Sequence, residues 1–224
     1  MSESVVAHPS ATVVLLREAP GGFEMLLLQR AAKLRFHGGA WVFPGGRVDA
    51  ADYADAPHDI EAAVREAAVR ETREEAGLHV DSRDLVDFAR WTTPEGMPKR
   101  FLTWFFVAEA GEGDVRVDGG EIRDHRWLRP ADALAERDAG TLELPPPTFV
   151  TTTLLDAFSD AGAALDGFAA RGRREYLPRM ARLDDGVCSL YQEDAGYADA
   201  NPSRPGARHR LWMRKSGWSY ERSG

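Results

Sequence analysis

The segment Arg70-Glu71-Thr72-Arg73-Glu74-Glu75-Ala76-Gly77-Leu78 places three carboxylates at i, i+3 and i+4, just ahead of a glycine. At about 100° per residue, Glu71, Glu74 and Glu75 fall within one sector of a helix. Three unneutralised carboxylates on one face repel each other, and a hard divalent cation with oxygen ligands is the usual resolution. A solvated glutamate face is the plainer alternative, and two details weigh against it. The same stripe runs back through Ala67, Val64 and Ile60, so the acids continue an apolar seam. Glu74 and Glu75 also occupy the last turn before Gly77, where the macrodipole disfavours negative charge by roughly 0.3–1 kcal/mol per group. Acids placed against local stability point to a metal site.

Those acids need a helix to carry them and loops to face them. Asp59 can N-cap a helix running from Ile60 to Ala76, with Glu61 in its first turn. Upstream, Ala11–Leu16 and Phe23–Leu28 read as strands joined by Ala19-Pro20-Gly21-Gly22, a hairpin. Gln29–Gly39 reads as a basic loop, Pro44-Gly45-Gly46 as a break after Trp41-Val42-Phe43, and Val48–Pro57 as polar loop. Downstream, Asp84–Trp91, Phe101–Ala108 and Glu121–Leu128 are expected strands. Pro130–Asp138 is an expected helix with proline near its start. Pro145-Pro146-Pro147 reads as a rigid spacer, and Thr148–Phe168 as a helix broken near Gly162.

The last fifty or so residues differ in texture. Arg171–Arg182 is basic, Val187–Gln192 resembles a strand, and Arg210–Met213 and Trp218–Arg222 flank a Lys215-Ser216-Gly217 turn. The expected architecture is an α/β domain with a mixed sheet over residues 1–168. A β-rich extension over 169–224 is expected to pack on that domain or on a partner subunit, as in a homodimer.

A net charge of −8 argues against non-specific binding to nucleic acid or an anionic membrane. Cys188 is the one cysteine, so neither an intrachain disulfide nor a cysteine-based zinc cluster can form. No run approaches the ~18 apolar residues of a membrane span. Met1–Ser10 lacks the basic and apolar regions of a signal peptide, so a cytoplasmic protein is expected.

Gly46 followed by Arg70-Glu71-x-x-Glu74-Glu75-x-Gly77-Leu78 resembles the Nudix box. Its family hydrolyses a pyrophosphate linked to another group, with Mg²⁺ or Mn²⁺. The resemblance runs from about Ala11 to Leu165 and implies an α/β/α sandwich. It implies metal ligation by Glu71, Glu74 and Glu75 with the Gly45 carbonyl, orientation of Glu71 by Arg70, and a further ligand or general base at Glu121. Catalytic roles thus fall to Glu74, Glu121 and Arg70. Thr72 stands where the family prefers an aliphatic residue. A larger departure concerns the family's first acid. The position eight before Arg70 is Ala62, and six after Gly46 is Asp52, across a loop about ten residues longer.

A second resemblance lies upstream. Leu26-Leu27-Leu28-Gln29-Arg30-Ala31, Arg35, Gly39 and Phe43-Pro44-Gly45-Gly46 follow the spacing of the coenzyme A diphosphatases of this family, with Leu28 in place of a threonine. Arg30 and Arg35 could supply fork donors for phosphate oxygens, and with Gly39 they are the residues that the resemblance implies for substrate binding. The long loop after Pro44-Gly45-Gly46, the Trp91–Pro94 and Arg100–Phe106 segments and Leu144–Phe149 are similar to the acyl-coenzyme A diphosphatase branch. The activity so implied is metal-dependent hydrolysis of coenzyme A or acyl-coenzyme A to 3′,5′-ADP and (acyl-)phosphopantetheine. The alternatives are a diphosphatase for ADP-ribose, nucleoside-diphosphate sugars or dinucleotides, and a Nudix module that binds a nucleotide without turnover.

Overall fold

The structure, a computed structural model, describes residues 6–34 and 37–223. Strands β1 (His8–Ala19) and β2 (Gly22–Arg30) form the expected hairpin, longer than the apolar runs alone. Val13, Leu15, Leu26 and Leu28 face one core, and Val14, Leu16, Met25 and Leu27 face the other. Both faces are covered, so these strands read as continuous apolar runs without polar alternation.

One face is covered by α1 (Ile60–Ala76), through Val64, Ala67, Ala68 and Ala76. The opposite face carries α2 (Pro130–Asp138), α3 (Pro146–Leu155) and α4 (Ala161–Arg171), through Ala133, Phe149, Leu155 and Phe168. Between them lies a mixed sheet. β1 runs parallel to β6 (Phe101–Glu109), which pairs antiparallel with β5 (Val86–Thr92). β3 (Trp41–Val42) and β7 (Ile122–Leu128) both pair antiparallel with β2. This is the three-layer α/β/α arrangement with a mixed sheet that the sequence implied.

Helix α1 has the expected bounds because its ends are coded locally. The Asp59 side chain accepts from the Glu61 and Ala62 amides at 3.0 and 3.2 Å. Gly77 closes the helix in the left-handed conformation, at φ 69°.

Four expectations are corrected. Pro44-Gly45-Gly46 is not only a break, because β4 (Gly45–Arg47) resumes at once, antiparallel to β1. A side chain at Gly45 would stand 2.3 Å from the Ala11 carbonyl oxygen, so only glycine permits the approach. Pro145 and Pro146 are not a spacer but the N-cap and first residue of α3, where a missing N–H costs nothing. The following helix breaks at Asp156–Asp160 rather than near Gly162, because the Asp160 side chain caps α4 by accepting from the Ala163 amide at 2.7 Å. Finally, the stretch read only as basic contains β8 (Arg174–Tyr176), which joins the main sheet parallel to β5.

Beyond β8 the chain builds a second, antiparallel sheet in the order β12-β11-β10-β9. Its strands are β9 (Arg179–Leu183), β10 (Gly186–Leu190), β11 (His209–Arg214) and β12 (Gly217–Arg222). The junction is aromatic, with the Trp91 and Tyr176 rings stacked at 4.0 Å and Tyr191 edge-on to both. The loop between β10 and β11 is tied by a buried pair. Arg210 donates from Nε and Nη2 to the two Asp194 carboxylate oxygens at 2.7 and 2.6 Å. No helix among the described residues is long and apolar enough to cross a membrane.

Candidate active site

The last turns of α1 face β4 and the loop after it. Burial differs sharply among the three acids. The Glu75 residue is buried at 7% exposure, the Glu71 side chain is 15% exposed, and the Glu74 side chain is 58% exposed. The Gly45 amide donates to Glu75 Oε2 at 2.9 Å. Burial pushes the Glu75 carboxyl up to about 8, and the Glu71 and Glu121 charges add to this against the pull of Gly45 and Arg30. Glu71 is also raised, chiefly by burial, with Arg70 opposing.

Gly46 explains how Glu71 fits. A side chain at Gly46 would lie 2.1 Å from Glu71 Oε1, so the Glu71 carboxylate occupies the space that only glycine leaves.

Arg70 organises the exposed side of this group. Nη1 donates to Glu71 Oε1 at 2.8 Å and to Glu74 Oε2 at 3.2 Å. Nε and Nη2 grip Asp52 at 3.0 and 2.9 Å, and Nη2 also reaches the Arg47 carbonyl at 2.9 Å. Asp52 is buried inside a short 3-10 turn, Ala50–Tyr53, and also accepts from the Asp49 amide at 2.8 Å. Burial opposes its ionisation, but the Arg70 and Asp49 hydrogen bonds outweigh burial and hold its carboxyl below the usual range.

Arg30 and Glu121 meet at the opposite rim. Arg30 Nη2 lies 3.7 Å from Glu121 Oε2, and the Ala31 amide donates to the Glu121 carbonyl at 2.7 Å. The Glu121 side chain is 63% exposed, and Arg30 Nε is buried without a hydrogen-bond partner among the described residues. Asp118, which the sequence reading passed over, positions this acid. Its carboxylate accepts from the Gly120, Glu121 and Ile122 amides at 3.2, 3.1 and 2.9 Å. The signal was the Asp118-Gly119-Gly120 turn just ahead of Glu121. Gly39 adopts φ 85°, and its amide donates to the Arg30 carbonyl at 3.0 Å, which folds the loop back onto β2. Arg35 lies outside the described residues.

Among the described residues no three acidic, histidine or cysteine side chains converge on one point in this arrangement. Arg70 occupies the space between Glu71 and Glu74 instead. The donor set nevertheless suits a hard divalent cation: carboxylate oxygens, a glycine-walled recess around Glu71, and a buried Glu75 with one amide as its hydrogen-bond donor.

A model of the NUDIX domain matches residues 6–145. The chain belongs to the Nudix family. Its Nudix domain therefore belongs to a group of enzymes that cleave pyrophosphate bonds and in general use divalent metals such as Mg²⁺. The human acyl-coenzyme A diphosphatase NUDT19 is 26% identical, over 80% of this chain and 73% of its own length. A Caenorhabditis elegans relative named as a nudix hydrolase is 26% identical over 61% of this chain, and the match spans 57% of that relative's length. Among solved structures, a NUDIX hydrolase from Alicyclobacillus acidocaldarius shares 26% identity. That structure superimposes with a TM-score of 0.63 over 72% of this Nudix chain and 96% of its own.

Proposed function

We propose that the protein hydrolyses the pyrophosphate bond of coenzyme A or acyl-coenzyme A, giving 3′,5′-ADP and (acyl-)phosphopantetheine. The carrying observation is the similarity to the acyl-coenzyme A diphosphatase NUDT19 along 80% of the chain, which reaches beyond the Nudix box. Arg30, at the rim beside Glu121 and within electrostatic reach of Glu75, supports the reading from the structural side.

Glu71, Glu74 and Glu75, with the Gly45 carbonyl, would hold Mg²⁺ or Mn²⁺. Such an ion supplies Lewis-acid polarisation of the pyrophosphate oxygens and a bound water of lowered pKa. The chain's own residues do the rest. Arg30, at the rim beside Glu121, offers its guanidinium to the pyrophosphate oxygens. Arg70, locked by Asp52, fixes the Glu71 carboxylate and offsets the mutual repulsion of Glu71 and Glu74. Glu121, exposed beside Arg30, is the group free to take the proton of the attacking water. The water oxygen bonds to one phosphorus, the bridging P–O bond breaks, and two phosphomonoesters leave.

The test is hydrolysis of a substrate panel with Mg²⁺: coenzyme A, an acyl-coenzyme A, 3′-dephospho-coenzyme A, ADP-ribose and a dinucleoside polyphosphate. Highest kcat/KM on coenzyme A or its acyl ester is expected. Preference for ADP-ribose or dinucleotides would replace this substrate assignment. Nucleotide binding without Mg²⁺-dependent turnover would make the protein a binding module.

A further inference from the structure

A cleft of ≈ 790 Å³ opens between the 140–146 segment and the β11–β12 turn of the C-terminal sheet. This size suits a nucleotide or a comparable small molecule. The segment after β2 runs along the cleft: His37 lines it, the Arg30 amide donates to the Ala40 carbonyl at 3.0 Å, and the Trp41 amide donates to the carbonyl of the lining residue Glu143 at 2.9 Å. The Glu71, Glu74 and Glu75 carboxylates are not among the lining groups, so the cleft is separate from the acidic centre.

The far wall is built by residues outside the Nudix match. Trp218, half-buried, lines the cleft with the Arg137 guanidinium 4.2 Å from its ring centroid and Phe149 edge-on at 5.4 Å. Those contacts hold the indole in place in the cleft wall. The cations beside it are not equivalent. Arg137 is paired to Asp138 at 2.9 Å, and Arg214 to Asp185 at 2.9 and 3.0 Å. Lys215, at the exposed turn, has no ion pair among the described residues, and its backbone amide is held by the Asp185 carbonyl at 2.9 Å. Glu143 lines the same cleft and repels phosphate, so an anionic group is directed to the hairpin end and hydroxyls or amines to the Glu143 end.

The geometry points to this cleft as the subsite for a phosphomonoester-bearing purine nucleoside, with Trp218 under the base and Lys215 on the phosphate. The assignment rests on the coenzyme A reading above, whose substrate carries a 3′-phosphate distinct from its scissile pyrophosphate. It assigns the C-terminal sheet a role in selectivity. Arg30, beside Glu121, is then left to the pyrophosphate itself.

Binding separates this inference from the activity. Titration calorimetry compares adenosine 3′,5′-bisphosphate with adenosine 5′-monophosphate on the full chain, for the wild type, Lys215→Glu and Lys215→Arg. The wild type should bind the bisphosphate about tenfold or more tightly, the scale of one charge-assisted phosphate contact. Lys215→Glu should abolish that ratio, and Lys215→Arg should keep it. Equal affinity of the wild type for both probes, or an unchanged ratio in Lys215→Glu, would overturn the assignment. Failure of the wild type to hydrolyse coenzyme A would instead sink the activity, and the binding ratio would still decide the cleft.

Discussion

Asp52 and Arg70 form a two-pronged ion pair, at 3.0 Å from Nε and 2.9 Å from Nη2, and the same guanidinium holds Glu71 through Nη1 at 2.8 Å. A buried acid on the long loop thereby sets the position of an acid on the helix. The position eight before Arg70, Ala62, carries no acid, and the elongated loop returns Asp52 to the arginine from 18 residues away.

The pair makes Asp52 a positioning residue. Asp52→Ala and Asp52→Asn should lower kcat about 10–100-fold, the usual cost of losing a group that orients a metal ligand. Substrate KM should change little, because Asp52 is buried away from substrate. A steady-state comparison that found KM raised and kcat intact would place Asp52 in binding instead.

Gly46→Ala probes the recess that holds Glu71. The added methyl would overlap the Glu71 carboxylate, since a Cβ there stands 2.1 Å from Oε1. A displaced Glu71 should cost about 10²-fold in kcat, the scale of a 1 Å misplacement at a reacting centre. Circular dichroism should show an unchanged fold, and full activity in this variant would remove Glu71 from the centre.

Acid stability of the C-terminal sheet follows from Asp194. Burial works against its ionisation, but Arg210 and the His209 and Gly196 amides outweigh burial and hold its carboxyl below the usual range. A depressed carboxylate contributes stability that is fully present above its unfolded pKa, about 3.9, and is lost as pH falls through the folded value. Denaturant melts should therefore lose an Asp194-dependent increment only below about pH 4. Asp194→Ala should cost about 3–5 kcal/mol at neutral pH, because it strands a buried Arg210. An equal loss for Asp194→Ala at pH 7 and well below the folded pKa would contradict the ionic role.

Cys188 is fully buried, and burial pushes its thiol up to about 11. Thiol reagents at pH 8 should label it only as fast as the C-terminal sheet opens, and at once in denaturant. Rapid labelling of the folded protein would show that this sheet is open in solution.

What was legible in the sequence was what is coded locally. Asp59 and Gly77 bracket α1 with capping chemistry, so its bounds and its acid face could be read directly. The register that brings Gly46 against Glu71 was not readable, because it depends on β4 pairing with β1 some thirty-five residues away. Asp52 could be named as a stray acid, but its bond to Arg70 is a product of loop packing. The parallel addition of β8 to β5 was equally hidden, since a three-residue strand carries too little pattern to announce itself. The prolines misled for a different reason. Pro145-Pro146-Pro147 suits an extended spacer and a helix start equally, and only packing of Phe149 and Val150 into the core selects the helix.

The most direct test of the account is the hydrolysis of coenzyme A by Glu75→Gln, with Mn²⁺ affinity read in parallel by electron paramagnetic resonance. Glutamine keeps the shape of the side chain and can still accept from the Gly45 amide. Weakened Mn²⁺ binding and a kcat lower by about 100-fold or more are expected, with Tm little changed, because the raised Glu75 carboxyl is largely neutral in the metal-free protein at pH 7. Wild-type turnover with wild-type Mn²⁺ affinity in this variant would contradict the account.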